Sequence, residues 1–202
     1  AAITYHLADL DAAHLAGIHL NLVVAAQPPD GVKTELSPRE QEMLARSRHF
    51  QEEETGYSAI QRTKPQTLGY ALNDSPAGLA AWIVEKFRTW SDCDGDVEKR
   101  FTKDELLTNI TIYWATQTIN SSVRLYCETS RAGGFFGFKK RIEVPTGCAL
   151  FPREIIVPPR AWAEALFNVA RWTEMPAGGH FAALEEPALL VDDIRALFRE
   201  LR

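Results

Sequence analysis

Two short runs in the second half of the chain hold the residues best suited to acid and base chemistry. Phe151-Pro152-Arg153-Glu154-Ile155 carries a carboxylate, and Ala177-Gly178-Gly179-His180-Phe181 carries an imidazole. A carboxylate beside a histidine fixes the ring's tautomer and stabilises the imidazolium that forms when the ring accepts a proton. The glycines permit a tight backbone that presents the ring. A blander reading makes Glu154 a solvated loop residue and His180 a helix-capping histidine. No nucleophile is evident beside them. The chain contains no Gly-x-Ser-x-Gly run, and neither Cys127 nor Cys148 has a glycine-flanked elbow. Both cysteines are expected to be buried apolar residues. The other histidines, His6 and His14 on an opening helix, His19 in a strand and His49 on a charged helix, are expected to be structural or exposed. Asp92-Cys93-Asp94-Gly95-Asp96 lacks the glycine and glutamate spacing of a calcium-binding EF-hand loop and reads as a turn. Gly133, Gly134 and Gly137, interleaved with Phe135, Phe136 and Phe138, follow no strand. They read as a hairpin-like loop, not a phosphate cradle. No metal and no cofactor is expected.

The elements around these residues must place the two loops at neighbouring strand ends, where open α/β sheets gather their functional groups. The chain opens in helical rhythm, with Ile3, Leu7, Leu10 and Leu15 on one face. Residues 16–24 read as a buried strand, nearly continuous in apolar content. A Pro-containing loop, Gln27-Pro28-Pro29-Asp30-Gly31, leads into a long helical block. There Ser37-Pro38-Arg39-Glu40, Ser75-Pro76 and Thr102-Lys103-Asp104-Glu105 supply helix starts. One of these helices, begun at Ser75, carries Leu79, Trp82, Ile83, Lys86, Phe87 and Trp90 at helical spacing. After Arg131-Ala132-Gly133-Gly134, residues 142–150 read as a strand distorted at its end by Pro145. A short helix from Pro159, a strand over 168–175 and an amphipathic helix from Pro187 to Leu201 close the chain. This order predicts an α/β fold with a parallel sheet. The expected division is an α/β core over 1–27 and 141–202, with a helical lid inserted over 28–140. Three strands are few for a sheet that needs both faces covered, and nothing precedes the first helix to cap it. The expectation is a chain that is the back portion of a larger domain, from a natural polypeptide that started earlier.

Composition narrows the partners. Against 27 acidic residues stand 22 Lys and Arg, a net charge of −5, which argues against a nucleic-acid or anionic-membrane binder. Hydrophobic residues at 46% and charged ones at 24% suit a packed globular chain. Cys93, Cys127 and Cys148 form no CxxC pair, so neither a disulfide framework nor a zinc site is expected, in keeping with a reducing, cytoplasmic setting. No apolar run approaches the roughly 20 residues that span a bilayer, and no secretory signal is visible.

Longer motifs carry a family likeness. Residues 57–79, from Tyr57-Ser58-Ala59-Ile60-Gln61-Arg62-Thr63-Lys64-Pro65 to Ser75-Pro76-Ala77-Gly78-Leu79, strongly resemble the lid segment of microsomal-type epoxide hydrolases, the group that includes juvenile hormone epoxide hydrolases. So do Ile112-Tyr113-Trp114, Pro145-Thr146-Gly147, Phe151-Pro152-Arg153-Glu154 and Gly178-Gly179-His180-Phe181. The resemblance implies an α/β-hydrolase core with a helical lid and two-step covalent catalysis, of a kind that serves detoxification in xenobiotic metabolism. In such enzymes an aspartate opens the epoxide to an ester, and a histidine-activated water hydrolyses the ester to a diol. It makes His180 the general base, Glu154 its acidic partner, and Tyr57 and Tyr126 the donors that protonate the epoxide oxygen. Without it, both tyrosines read as amphipathic lid residues. The family's nucleophilic aspartate sits in a glycine-rich elbow that this chain lacks, and Asp9, Asp11 and Asp30 do not replace it. The resemblance thus implies the C-terminal half of such a hydrolase, inactive alone, with the N-terminal half of the core as partner and a small hydrophobic epoxide as substrate; a homo-oligomer is allowed. The alternative is a non-catalytic remnant or subunit that binds a hydrophobic ligand under the lid.

Overall fold

A computed structural model describes residues 2–25, 35–134 and 140–202. The loop at 27–31, with Asp30, and the phenylalanines and glycine at 135–138 lie outside the described residues. The chain divides into two compact units, residues 1–50 with 138–202, and residues 51–137.

The first unit is built on a three-stranded parallel sheet in the order β1 (Ile18–Leu20), β2 (Ile142–Leu150), β3 (Phe167–Glu174). Around it are α1 (Ala2–Leu10), the first turns of α2 (Pro38–Glu53), α8 (Arg160–Leu166), the single turn α9 (Ala182–Glu185) and α10 (Pro187–Glu200). Being central, β2 is buried on both faces, and Thr146, Cys148 and Ala149 are fully covered. One core gathers Tyr5, Ala8, Ile18, Leu20, Val144, Cys148, Leu150, Ala163 and Phe167. Another gathers Ala149, Phe151, Met175 and Ala182 with Leu189 and Leu190 of α10.

Three sequence expectations change here. Only Ile18–Leu20 of the apolar run 16–24 pairs in the sheet, although Val23 and Val24 are buried; an apolar run reports burial, not strand pairing. On α1 the buried residues are Tyr5 and Ala8, while Ile3, Leu7 and Leu10 are exposed. Periodicity defines a stripe without saying which side the sheet covers, and Tyr5 is held inward by its hydroxyl, which donates to the Lys140 carbonyl at 2.8 Å. Pro145 distorts the first half of β2, not its end. The register with β3 shifts between Ile142 and Pro145, since proline has no N–H for the ladder.

Units also differ from the boundaries at 27/28 and 140/141 in where they change, at 50/51 and 137/138. Up to Phe50, α2 clusters with the first unit: Met43 packs against its core. Arg46 donates to the Pro152 carbonyl, and Ser47 Oγ accepts from the Val157 amide at 3.4 Å.

Among its described residues the second unit is built from helices: α3 (Gly56–Thr63), α4 (Pro65–Asp74), α5 (Pro76–Trp90), α6 (Lys103–Ala115) and α7 (Ile119–Arg131). Its core is Leu72, Leu79, Ile110, Ile119 and Val123, with Trp82, Ile83 and Tyr113 against it. The helix starts behave as their sequences predict. Ser75 Oγ accepts from the Gly78 amide at 3.0 Å, and Thr102 with Glu105 forms a reciprocal capping box. Ser37 and Glu40 do the same ahead of α2. Asp92 to Gly95 is a turn after α5, with Asp94 and Gly95 at positive φ. Among the described residues no helix is long and apolar enough to cross a membrane.

Candidate active site

Just past the carboxyl ends of β2 and β3 the sheet continues by one isolated parallel bridge between Arg153 and Gly179. The Arg153 amide donates to the Gly178 carbonyl at 3.0 Å. This bridge makes the next residue on each loop a neighbour of the other, and those residues are Glu154 and His180. Their side chains meet, with His180 Nδ1 2.7 Å from Glu154 Oε1. Gly178 has φ +103°, and a Cβ there would lie 2.7 Å from the Phe151 ring, so the approach to His180 depends on glycine at this position.

Glu154 is held tightly. Its side chain is 1% exposed, and Oε1 also accepts from the Ile155 amide at 2.7 Å. Oε2 is buried with no hydrogen-bond partner among the described residues. A carboxylate only accepts, so His180 Nδ1 carries the proton toward Glu154 and the basic lone pair belongs to Nε2. The imidazole is less covered, at 23%, with the Phe181 ring edge-on at 5.2 Å. The loop beyond is fixed where Glu185 Oε1 accepts from the Phe181 amide at 3.0 Å.

Tyr57 on α3 and Tyr126 on α7 belong to the second unit and lie together there, ring centroids 5.8 Å apart and nearly perpendicular. Both are half-buried. Burial above all, and then the neighbouring Tyr126 through charge and hydrogen bonding, holds the Tyr57 hydroxyl well above the usual phenol range. The phenol is therefore protonated at every physiological pH and is a donor. Trp90 lies 5.3 Å from the Tyr57 ring.

Other candidates fall away. All three cysteines are buried thiols, and burial pushes Cys148 up to about 12. Asp9 lies in α1, 3.8 Å from Lys140 Nζ, and Asp11 is exposed. His14 sits in a short 3-10 turn after α1, not on the helix itself. Among the described residues no group of His, Cys, Asp or Glu is arranged to hold a metal ion.

His19 is more than a strand residue. Its Nε2 donates to Asp193 Oδ2 at 2.8 Å, while Arg171 Nε and Thr173 Oγ1 both donate to Asp193 Oδ1 at 2.7 Å. A Cβ at Gly147 would lie 3.1 Å from the His19 ring and 2.8 Å from Leu197, so the small central residue lets the histidine reach across β2. Sequence reasoning missed Asp193; the signal was an acidic residue within the apolar stripe of α10, between Leu190 and Leu197.

A parallel sheet with helical crossovers, a long helical unit inserted between β1 and β2, and an acid–histidine pair at the ends of β2 and β3 define an α/β-hydrolase. The comparisons agree. A relative from Stigmatella aurantiaca is 47% identical over 100% of this chain and 45% of its own length. Epoxide hydrolase 1 of Oryctolagus cuniculus is 39% identical over 96% of this chain and 48% of its own length. Among solved structures, the juvenile hormone epoxide hydrolase of the silkworm Bombyx mori superposes with TM-score 0.86 at 30% identity, over 97% of this chain and 51% of that one. No protein-family model matches. The chain belongs with the epoxide hydrolases of the α/β-hydrolase fold, and it spans about half the length of the curated relatives it matches.

Proposed function

We propose that this chain acts in an epoxide hydrolase as the half that supplies the base, its acidic partner and the proton donors, with the nucleophilic aspartate contributed from outside these 202 residues. The observation that carries the reading is the Glu154–His180 pair, held by the bridge beyond β2 and β3. In the first step the aspartate attacks an epoxide carbon, the carbon–oxygen bond breaks, and its electron pair goes to the oxygen, which takes a proton from Tyr57 or Tyr126. Phenols suit this step because an alkoxide is a poor leaving group at neutral pH without a proton donor. In the second step His180 Nε2 takes a proton from water and the hydroxide attacks the ester carbonyl. The diol departs with the proton from His180, and the carboxylic acid left on the enzyme returns its proton to the tyrosinate, which regenerates both the carboxylate and the phenol. Glu154 keeps the ring oriented and offsets its transient charge. The substrate class is a small hydrophobic epoxide.

A single turnover of the full-length protein in ¹⁸O-water tests this. The first diol should be unlabelled, because its new oxygen comes from the enzyme's carboxylate, and label should enter the enzyme. Label in the first diol would show direct attack by water. Absence of any diol would leave the alternative of a ligand-binding protein.

A further inference from the structure

We infer that the Glu54–Lys86 ion pair is a positioning device for the Tyr57 phenol. The inference rests on the reading of Tyr57 as a proton donor. Glu54 lies in the link between α2 and α3, three residues before Tyr57, and its Oε2 accepts from two α5 side chains, Lys86 Nζ at 3.1 Å and Trp90 Nε1 at 3.3 Å. Lys86 and Trp90 are one helical turn apart on α5, so a single carboxylate ties down both. The Lys86 ammonium in turn lies 5.4 Å from the centre of the Tyr57 ring and 5.3 Å from that of Trp90. Tyr57 is thus enclosed by a cation, an indole and the second phenol, each from a different position on α5 or α7.

The pair is mostly covered, with side-chain exposures of 19% for Lys86 and 16% for Glu54. Covering two charges costs solvation, and apolar side chains of similar size would pack this space without that cost. Burial works against the ammonium, but the Glu85 and Glu54 carboxylates outweigh it and raise Lys86 above its ordinary value, so the cation persists. Glu85 Oε2 lies 2.7 Å from Lys86 Nζ, giving the ammonium an anchor on its own helix as well. The cation over the Tyr57 ring is therefore Lys86, itself held by the Glu54 and Glu85 carboxylates, and the Tyr126 ring lies beside Tyr57. A cation over the ring face attracts the aromatic quadrupole, which fixes the ring's direction more firmly than packing alone. Proton donation is sensitive to that direction, because the hydroxyl must meet the epoxide oxygen as charge develops. The sequence showed Lys86 within the apolar period of α5, an unusual place for a lysine, without showing what it meets.

The test is a mutant cycle in the full-length protein, with single-turnover ester formation and ester hydrolysis measured separately and a thermal melt on each variant. Glu54→Gln and Lys86→Met should each slow ester formation about 10-fold and leave ester hydrolysis unchanged. Lys86→Arg should recover part of the loss. On a Tyr57→Phe background both substitutions should add nothing, because the group they position has gone; a general packing role would persist there. Glu54→Gln keeps the volume and an oxygen for Trp90, and it carries the test if Lys86→Met melts early. Slow Tyr57→Phe with unchanged Glu54→Gln and Lys86→Met overturns this inference alone. Ester formation by Tyr57→Phe at the parent rate overturns the donor role, and this inference with it.

Discussion

Glu154 combines two properties that pull apart in a mutant. In the proposed mechanism its charge orients and supports His180, yet one of its oxygens is buried without a partner among the described residues, a costly state for a carboxylate. Replacing it by Gln removes the charge and keeps an oxygen for both the Ile155 amide and His180. Ester hydrolysis should then fall by up to about 10⁴-fold, the loss when a triad aspartate becomes asparagine, while the melting temperature stays near that of the parent. Separate measurement of hydrolysis and melting decides it: hydrolysis at the parent rate would reduce Glu154 to a packing residue. This pair was legible in the sequence because both residues follow strand-like runs and one stands beside glycines. Glu54, Lys86 and Trp90 were not, since they come from a link and a helix that meet only in the fold, and no local pattern records such a meeting.

At the level of elements, the clamp on Asp193 joins β1, β3 and α10 through His19, Arg171 and Thr173. Burial tends to raise the Asp193 carboxyl, but hydrogen bonds from Thr173, His19 and Arg171 outweigh it and hold the carboxyl below its ordinary value. A carboxylate whose folded pKa is depressed stabilises the fold fully above its unfolded value, roughly pH 4. That contribution is lost as pH falls through the lower, folded value. Asp193→Ala, which leaves the arginine without its acceptor, should cost about 3 kcal/mol at pH 7. In urea titrations at pH 7 and pH 3, the gap between parent and variant should narrow at the acid end. A variant as stable as the parent at pH 7 would contradict the clamp. Two of the second unit's five helices, α5 and α6, were legible from their caps at Ser75 and Thr102, whose side chains accept the expected amides, whereas α3, α4 and α7 begin without a side-chain cap. The covered side of α1 was not, because Ile3, Leu7 and Leu10 form as good an apolar stripe as the one Tyr5 and Ala8 occupy.

For the molecule as a whole, the sheet and its two terminal loops place an imidazole held by a carboxylate just beyond the ends of β2 and β3, and the proposed mechanism uses that imidazole as the base that hydrolyses an ester intermediate. The parallel order and the helical insertion were readable from alternation alone, whereas the grouping of α2 up to Phe50 with the first unit was not, because it rests on contacts such as those of Arg46 and Ser47 with the loop that carries Glu154. The central claim is that His180 acts on water in the second step and not on ring opening. Intact mass spectrometry of the full-length His180→Gln protein after exposure to an epoxide tests that most directly. The account predicts a stable gain of one substrate mass on the nucleophilic aspartate, with turnover stopped. Continued diol production at the parent rate, with no adduct, would contradict it.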